Sequence, residues 1–133
     1  MDAASPPCDT SPFVHRNLPR LLLQAREAVM AHTRPHLREH GLTDQQWRVL
    51  RVLGERTGAG GADAGTIARE AFISAPSLSG VLVRMERDGL IRRHTDPRDA
   101  RRVWVETSAR GRRLVQRLSE AIEAHYALLE QRL

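Results

Sequence analysis

Apolar residues recur at helical spacing through most of this chain and change to a shorter period in one region only. From Leu18 to His40, the positions Leu18, Leu22, Ala25 and Val29 share one face and predict a long first helix. Pro35 is expected to kink that helix or to open a second segment. Thr43 followed by Gln46 is a capping-box pattern, and Val49, Leu50 and Leu53 form the core face of a second helix ending at Glu55. Thr57 to Gly65 is rich in Gly and Ala and reads as a loop. Asp63 to Ala71 then makes a short helix carrying Ile67 and Ala68, and a turn at Phe72-Ile73-Ser74 leads into the next.

That next helix carries Leu78, Val81, Leu82 and Met85 at i, i+3, i+4 and i+7, a single apolar stripe. Ser74 suits its N-cap, Pro76 its first turn and Asp88-Gly89 its stop. The outer face carries Ser74, Pro76, Ser77, Ser79, Gly80, Arg84 and Arg87. It is small and polar at one end and cationic at the other, which lets backbone approach base edges while arginines reach phosphates. Leu90 to Thr95 and Arg102 to Thr107 read as two short strands, joined by the polar tip Asp96-Pro97-Arg98-Asp99-Ala100-Arg101. Arg98, Arg101 and Arg102 make this hairpin basic, and Asp99 is expected to pair with Arg98 or Arg101 and point a guanidinium outward, towards a minor groove. From Ser108 to Leu133 a long helix places Leu114, Leu118, Ile122 and Leu129 on one seam.

The order is mainly α with a small β-hairpin wing: a winged helix-turn-helix at 41–107, flanked by terminal helices at 18–40 and 108–133, after a flexible tail at 1–17. The two terminal helices carry more apolar seam than the protein between them can cover, so they are expected to form a dimerisation lobe with a second copy. The partners expected are therefore double-stranded operator DNA and a homodimer mate.

At 133 residues the chain is one domain's worth of sequence, and its formal charge of +5 favours a polyanionic partner without naming one. No apolar run approaches the roughly 20 residues that cross a bilayer, and no signal-peptide pattern opens the chain, so a cytoplasmic protein with no membrane partner is expected. The lone Cys8 excludes an internal disulfide, and the neighbouring Asp9 has the wrong charge to activate a thiol. Gly58 to Gly61 lacks the Lys-Ser/Thr of a phosphate loop, and no nucleophile elbow or apolar carboxylate pair appears. Neither an enzyme nor a cofactor is expected.

Three motifs point further. Arg84-Met85-Glu86-Arg87-Asp88-Gly89-Leu90-Ile91, the tip Asp96 to Arg101, and Thr107 with Gly111 and Leu114 together resemble the multiple-antibiotic-resistance regulator (MarR) family of winged-helix repressors, from about Leu18 to Leu133. Gln24-Ala25-Arg26-Glu27-Ala28, Thr43 to Arg48 and Pro76 to Gly80 are similar to the branch that represses homoprotocatechuate and 4-hydroxyphenylacetate degradation. The resemblance implies a dimeric repressor released from DNA by a small aromatic carboxylic acid, with the acid's pocket where the first, second and last helices meet. Two departures stand out. Ala75 replaces the Arg that relatives carry before the recognition-helix proline, which is expected to alter operator affinity or sequence. Relatives also continue into a further C-terminal helix beyond the point corresponding to Leu133, so an incomplete dimer interface is expected.

The residues support such a pocket on their own. Asp44, Trp47 and Arg51 share one face of the second helix. Arg51 can hold a carboxylate in a two-pronged bond, Trp47 can cover a ring and Asp44 can accept from a phenolic hydroxyl. Arg26, Met30 and Tyr126 complete the expected ligand set. Two other readings stay open: a ligand-insensitive architectural DNA-binding protein, and a metal-responsive repressor using His32, His36 and His40 at i, i+4 and i+8.

Overall fold

A computed structural model describes residues 11–56 and 61–133, with side chains throughout except at position 100. The expected tail around Cys8 and the loop 57–60 lie outside the described residues. Helices and strands follow in the order α1 (Leu18–Glu39), α2 (Asp44–Glu55), β1 (Ala62–Asp63), α3 (Ala64–Ala71), α4 (Ala75–Arg87), β2 (Ile91–Asp96), β3 (Asp99–Thr107) and α5 (Ala109–Arg132). α1 runs through Pro35 as one helix, so the proline does not divide it. Two compact units divide the chain between Ala31 and His32.

In the first unit the start of α1 is capped by Asn17, whose side-chain oxygen accepts from the Arg20 amide at 3.1 Å. Leu18, Leu21, Leu22 and Leu23 all remain exposed there.

In the second unit local chemistry sets most element ends. Thr43 and Gln46 close the capping box of α2 reciprocally, Asp63 caps α3, Ser74 caps α4 and Ser108 caps α5. α2 packs on both α3 and α5, and α3 on α4. Between them Leu37, Val49, Leu50, Ile67, Leu78, Val81, Met85, Leu118 and Ile122 are almost wholly buried. Leu114 and Leu129 on the expected seam of α5 are only half-buried. The α3–α4 turn places the non-glycine Phe72 at φ 55°, and the α4–β2 turn uses Gly89 at φ 76°, where a Cβ would be strained.

The sheet has three antiparallel strands in the order β1-β3-β2, one more than the hairpin expected. Ala62 pairs with Val105 and Asp63 with Trp104. In the wing, Ile91 pairs with Thr107 and the register continues to Thr95 opposite Val103, after which it shifts so that Asp96 faces Asp99. The tip is thus the two-residue turn Pro97-Arg98, and residues 100–102 bulge from the ladder, the kind of irregularity that re-aims side chains.

Asp63 ties several of these pieces together. It accepts from the Thr66 amide at 2.8 Å and pairs with Arg102 at 3.2 Å. The Thr66 hydrogen bond first, and Arg102 second, hold its carboxyl below the ordinary range. A depressed folded-state pKa contributes stability above the unfolded value, and that stability disappears as pH falls through the folded value. Asp63→Ala should therefore lose about 1 kcal/mol at about pH 7, and the difference from wild type should shrink by about pH 3, as read by urea unfolding.

Candidate DNA interface and effector site

The outer face of α4 is built as its cap and stripe require. Ser74 Oγ accepts from the Ser77 amide at 3.4 Å and donates to Ser77 Oγ at 3.0 Å, and Ser79 Oγ donates to the Ala75 carbonyl at 3.3 Å. Ser74, Pro76, Ser77, Ser79, Arg84 and Arg87 are exposed and Gly80 is half-buried. A Cβ at position 80 would stand 3.4 Å from the Arg84 guanidinium, so the glycine leaves room for that side chain to lie back along the helix. Arg87 sits at the other end, beside Asp88 at 3.5 Å, about 15 Å along the axis from Ser77.

At the wing the expected Asp99 ion pair is replaced by backbone bonding. Asp99 accepts from the Arg101 amide at 3.0 Å and Asp96 from the Arg98 amide at 2.8 Å. A carboxylate two residues ahead of an amide closes a local turn more readily than it reaches a long, mobile guanidinium. Arg98, Arg101 and Arg102 are exposed, with Arg102 paired to Asp63. The wing is braced against α4 by Glu86, which takes the Arg93 amide at 3.1 Å and its guanidinium at 3.0 Å. These bonds hold the Glu86 carboxyl below its ordinary range.

On α2 the candidate effector residues divide into two groups. Arg51 is paired with Glu55 on its own helix and with Glu123 of α5 at 3.2 Å, and the hydrogen bond to Glu55 chiefly raises its pKa further. Tyr126 is half-buried. Asp44 pairs instead with Arg48 at 3.6 Å. Trp47 is only 5 % exposed and belongs to the core. Arg26 and Met30 belong to the first unit, where Arg26 pairs with Glu27 at 4.0 Å and Met30 is buried.

Arg48 is the residue that sequence reasoning missed. Its Nη1 donates to the Ala71 carbonyl at 2.9 Å and to the Phe72 carbonyl at 3.4 Å, so α2 holds the turn that delivers α4. The Asp44–Arg48 spacing of four marks a helical ion pair, but nothing local points to a partner more than twenty residues away.

The histidines are engaged separately. His32 stacks on His125 with ring centroids 4.2 Å apart, and His40 Nδ1 lies 3.0 Å from the His36 carbonyl. Among the described residues no group of three or more His, Cys, Asp or Glu side chains is placed to hold a metal ion. None of the described helices is long and apolar enough to cross a membrane.

A helix-turn-helix whose second helix is followed by a braced basic hairpin defines the class: a winged-helix transcriptional regulator. Residues 40–102 match the model of the MarR family. The homoprotocatechuate degradative operon repressor of Escherichia coli is 41% identical over 117 residues, covering 88% of this chain and 77% of its own length. The HTH-type transcriptional regulator FarR of Neisseria gonorrhoeae is 39% identical over 110 residues, covering 83% and 73%. NadR, solved in complex with 4-hydroxyphenylacetate, superposes with a TM-score of 0.80 at 37% identity, covering 91% of this chain and 84% of that one. The chain belongs to the MarR family.

Proposed function

We propose that this protein is an operator-binding repressor, acting by binding rather than catalysis in the cytoplasm, and that a small hydroxyaryl acid releases it from DNA. One observation carries the effector half: α2 bears three of the candidate ligand residues, Asp44, Trp47 and Arg51, and also Arg48, the cation that holds the helix-turn-helix turn. A phenolic hydroxyl taken by Asp44 competes with Arg48 for the same carboxylate. A freed Arg48 loosens its hold on the Ala71 and Phe72 carbonyls, and α4 is re-aimed. At the other end of the site a ligand carboxylate exchanges with Glu123 or Glu55 on Arg51, while half-buried Tyr126 supplies aromatic surface and Trp47 backs the site from the core. The ligand's leverage equals its preference for the released form over the DNA-bound form.

The DNA half rests on Ser74, Pro76, Ser77, Ser79, Gly80, Arg84 and Arg87 along α4, and on Arg98, Asp99, Arg101 and Arg102 at the wing. Exposed Leu18, Leu21, Leu22 and Leu23 support a homodimer, because contiguous leucines left in water favour burial against a second copy. The relatives named above support the aromatic-acid reading, one by its operon and one by its bound ligand.

A thermal-shift titration tests the effector site. 4-Hydroxyphenylacetate should raise Tm with the logarithm of its concentration above Kd, by about 2.7 kcal/mol of added stability at a hundredfold excess, and Arg51→Ala should abolish the gain. No shift with any aromatic acid, together with operator affinity indifferent to them, would favour the architectural reading.

A further inference from the structure

A cavity of about 760 Å³ opens where the end of α4, the start of α5 and the α1–α2 turn meet. Its size is that of a small-molecule site. Arg87, Arg110, Arg113 and Arg117 line it, together with His40. The three α5 arginines fall at i, i+3 and i+7, one face of the helix. Asp88 is the one carboxylate in the lining, and it lies beside Arg87. Among the described residues the guanidinium groups of Arg110, Arg113 and Arg117 have no ion-pair or hydrogen-bond partner. Three like charges converging on one concavity repel each other unless an anion joins them. Leu42, Leu90 and Leu114 contribute an apolar part of the wall.

The geometry points to a second ligand site, for a phosphorylated organic anion of about nucleotide size, distinct from the Arg51 site and independent of the aromatic-acid reading. Planar guanidinium forks suit phosphoryl oxygens, three unpaired cations require more than one negative charge, and the leucines accommodate a ring or chain. Duplex DNA fits the cavity less well. Arg87 alone of the DNA-facing residues lines it: Ser77 lies about 15 Å up α4, and the wing tip about 20 Å along β2 from Ile91. A bound anion bridges Arg87 at the end of the recognition helix to Arg110, Arg113 and Arg117 on α5, and so bears on how α4 is held.

The test is calorimetric titration of the full chain with ATP and with pyrophosphate at fixed ionic strength, using inorganic phosphate as the weak control. Saturable binding of ATP is expected. The exposed pair Arg113→Gln/Arg117→Gln should weaken it about tenfold or more, with the unliganded Tm unchanged, while Arg98→Gln/Arg101→Gln at the wing should leave it intact. Equal weakening by both pairs would overturn the site, as would heat that tracks ionic strength alone. An undiminished ATP affinity in the cavity variant would also overturn it. So would a cavity variant that binds no probe less tightly but loses operator affinity, because the arginines would then be DNA phosphate contacts.

Discussion

Alanine at both Arg98 and Arg101 should lower operator affinity about tenfold to a hundredfold, as expected for two lost charge-assisted contacts. It should also reduce the slope of log K against log salt by roughly 1.8 per protomer, about 0.9 for each phosphate contact. Both side chains are exposed at a tip whose backbone is closed by Asp96 and Asp99, so neither is spent on folding. Their loss should be uniform across operator sequences if they contact phosphate, whereas changes at Ser77 or Ser79 should alter base preference by roughly 1–3 kcal/mol per contact. Fluorescence anisotropy over a salt series separates the two effects. An unchanged slope would remove the wing from the interface.

A large stability loss is expected at Gly111. A Cβ there would stand 2.2 Å from the Leu90 carbonyl oxygen and 2.7 Å from Thr107 Cγ2, both fixed at the base of the wing. The Leu90 carbonyl also accepts from the Ser108 amide at 3.0 Å, and Ser108 Oγ donates to the Gly89 carbonyl, so the backbone cannot yield without breaking the α5 cap. Gly111→Ala should cost about 2–4 kcal/mol by overpacking, outweighing the fraction of a kcal/mol that alanine gains over glycine in helix propensity. A urea midpoint equal to wild type would show that α5 can slide away from the wing at no cost.

The helix-turn-helix was legible because its signals are local. The stripe Leu78, Val81, Leu82 and Met85 needs only helical periodicity, and all four side chains are buried. Ser74, Thr43 and Ser108 are caps whose hydrogen bonds close within three residues. Strand β1 was not legible: two residues carry no period, and their ladder partners, Trp104 and Val105, lie some forty positions away. The wing tip was placed correctly but drawn too long, because its bulge depends on cross-strand register that a single strand does not encode.

The candidate sites divide the same way. Residue type and spacing alone determined which face of α4 is free of the core, that the wing is basic, and that Asp44, Trp47 and Arg51 share a turn-and-turn-again face of α2. Tertiary structure decided what each of them meets. It buried Trp47, gave Arg51 to Glu123, joined Asp44 through Arg48 to the recognition turn, and gathered Arg87 with three arginines of α5 around one cavity. Periodicity and capping act over one or two turns, so they can be read along the chain. Ion pairs and cavities arise where segments far apart in sequence are packed together, and only the folded core sets those distances.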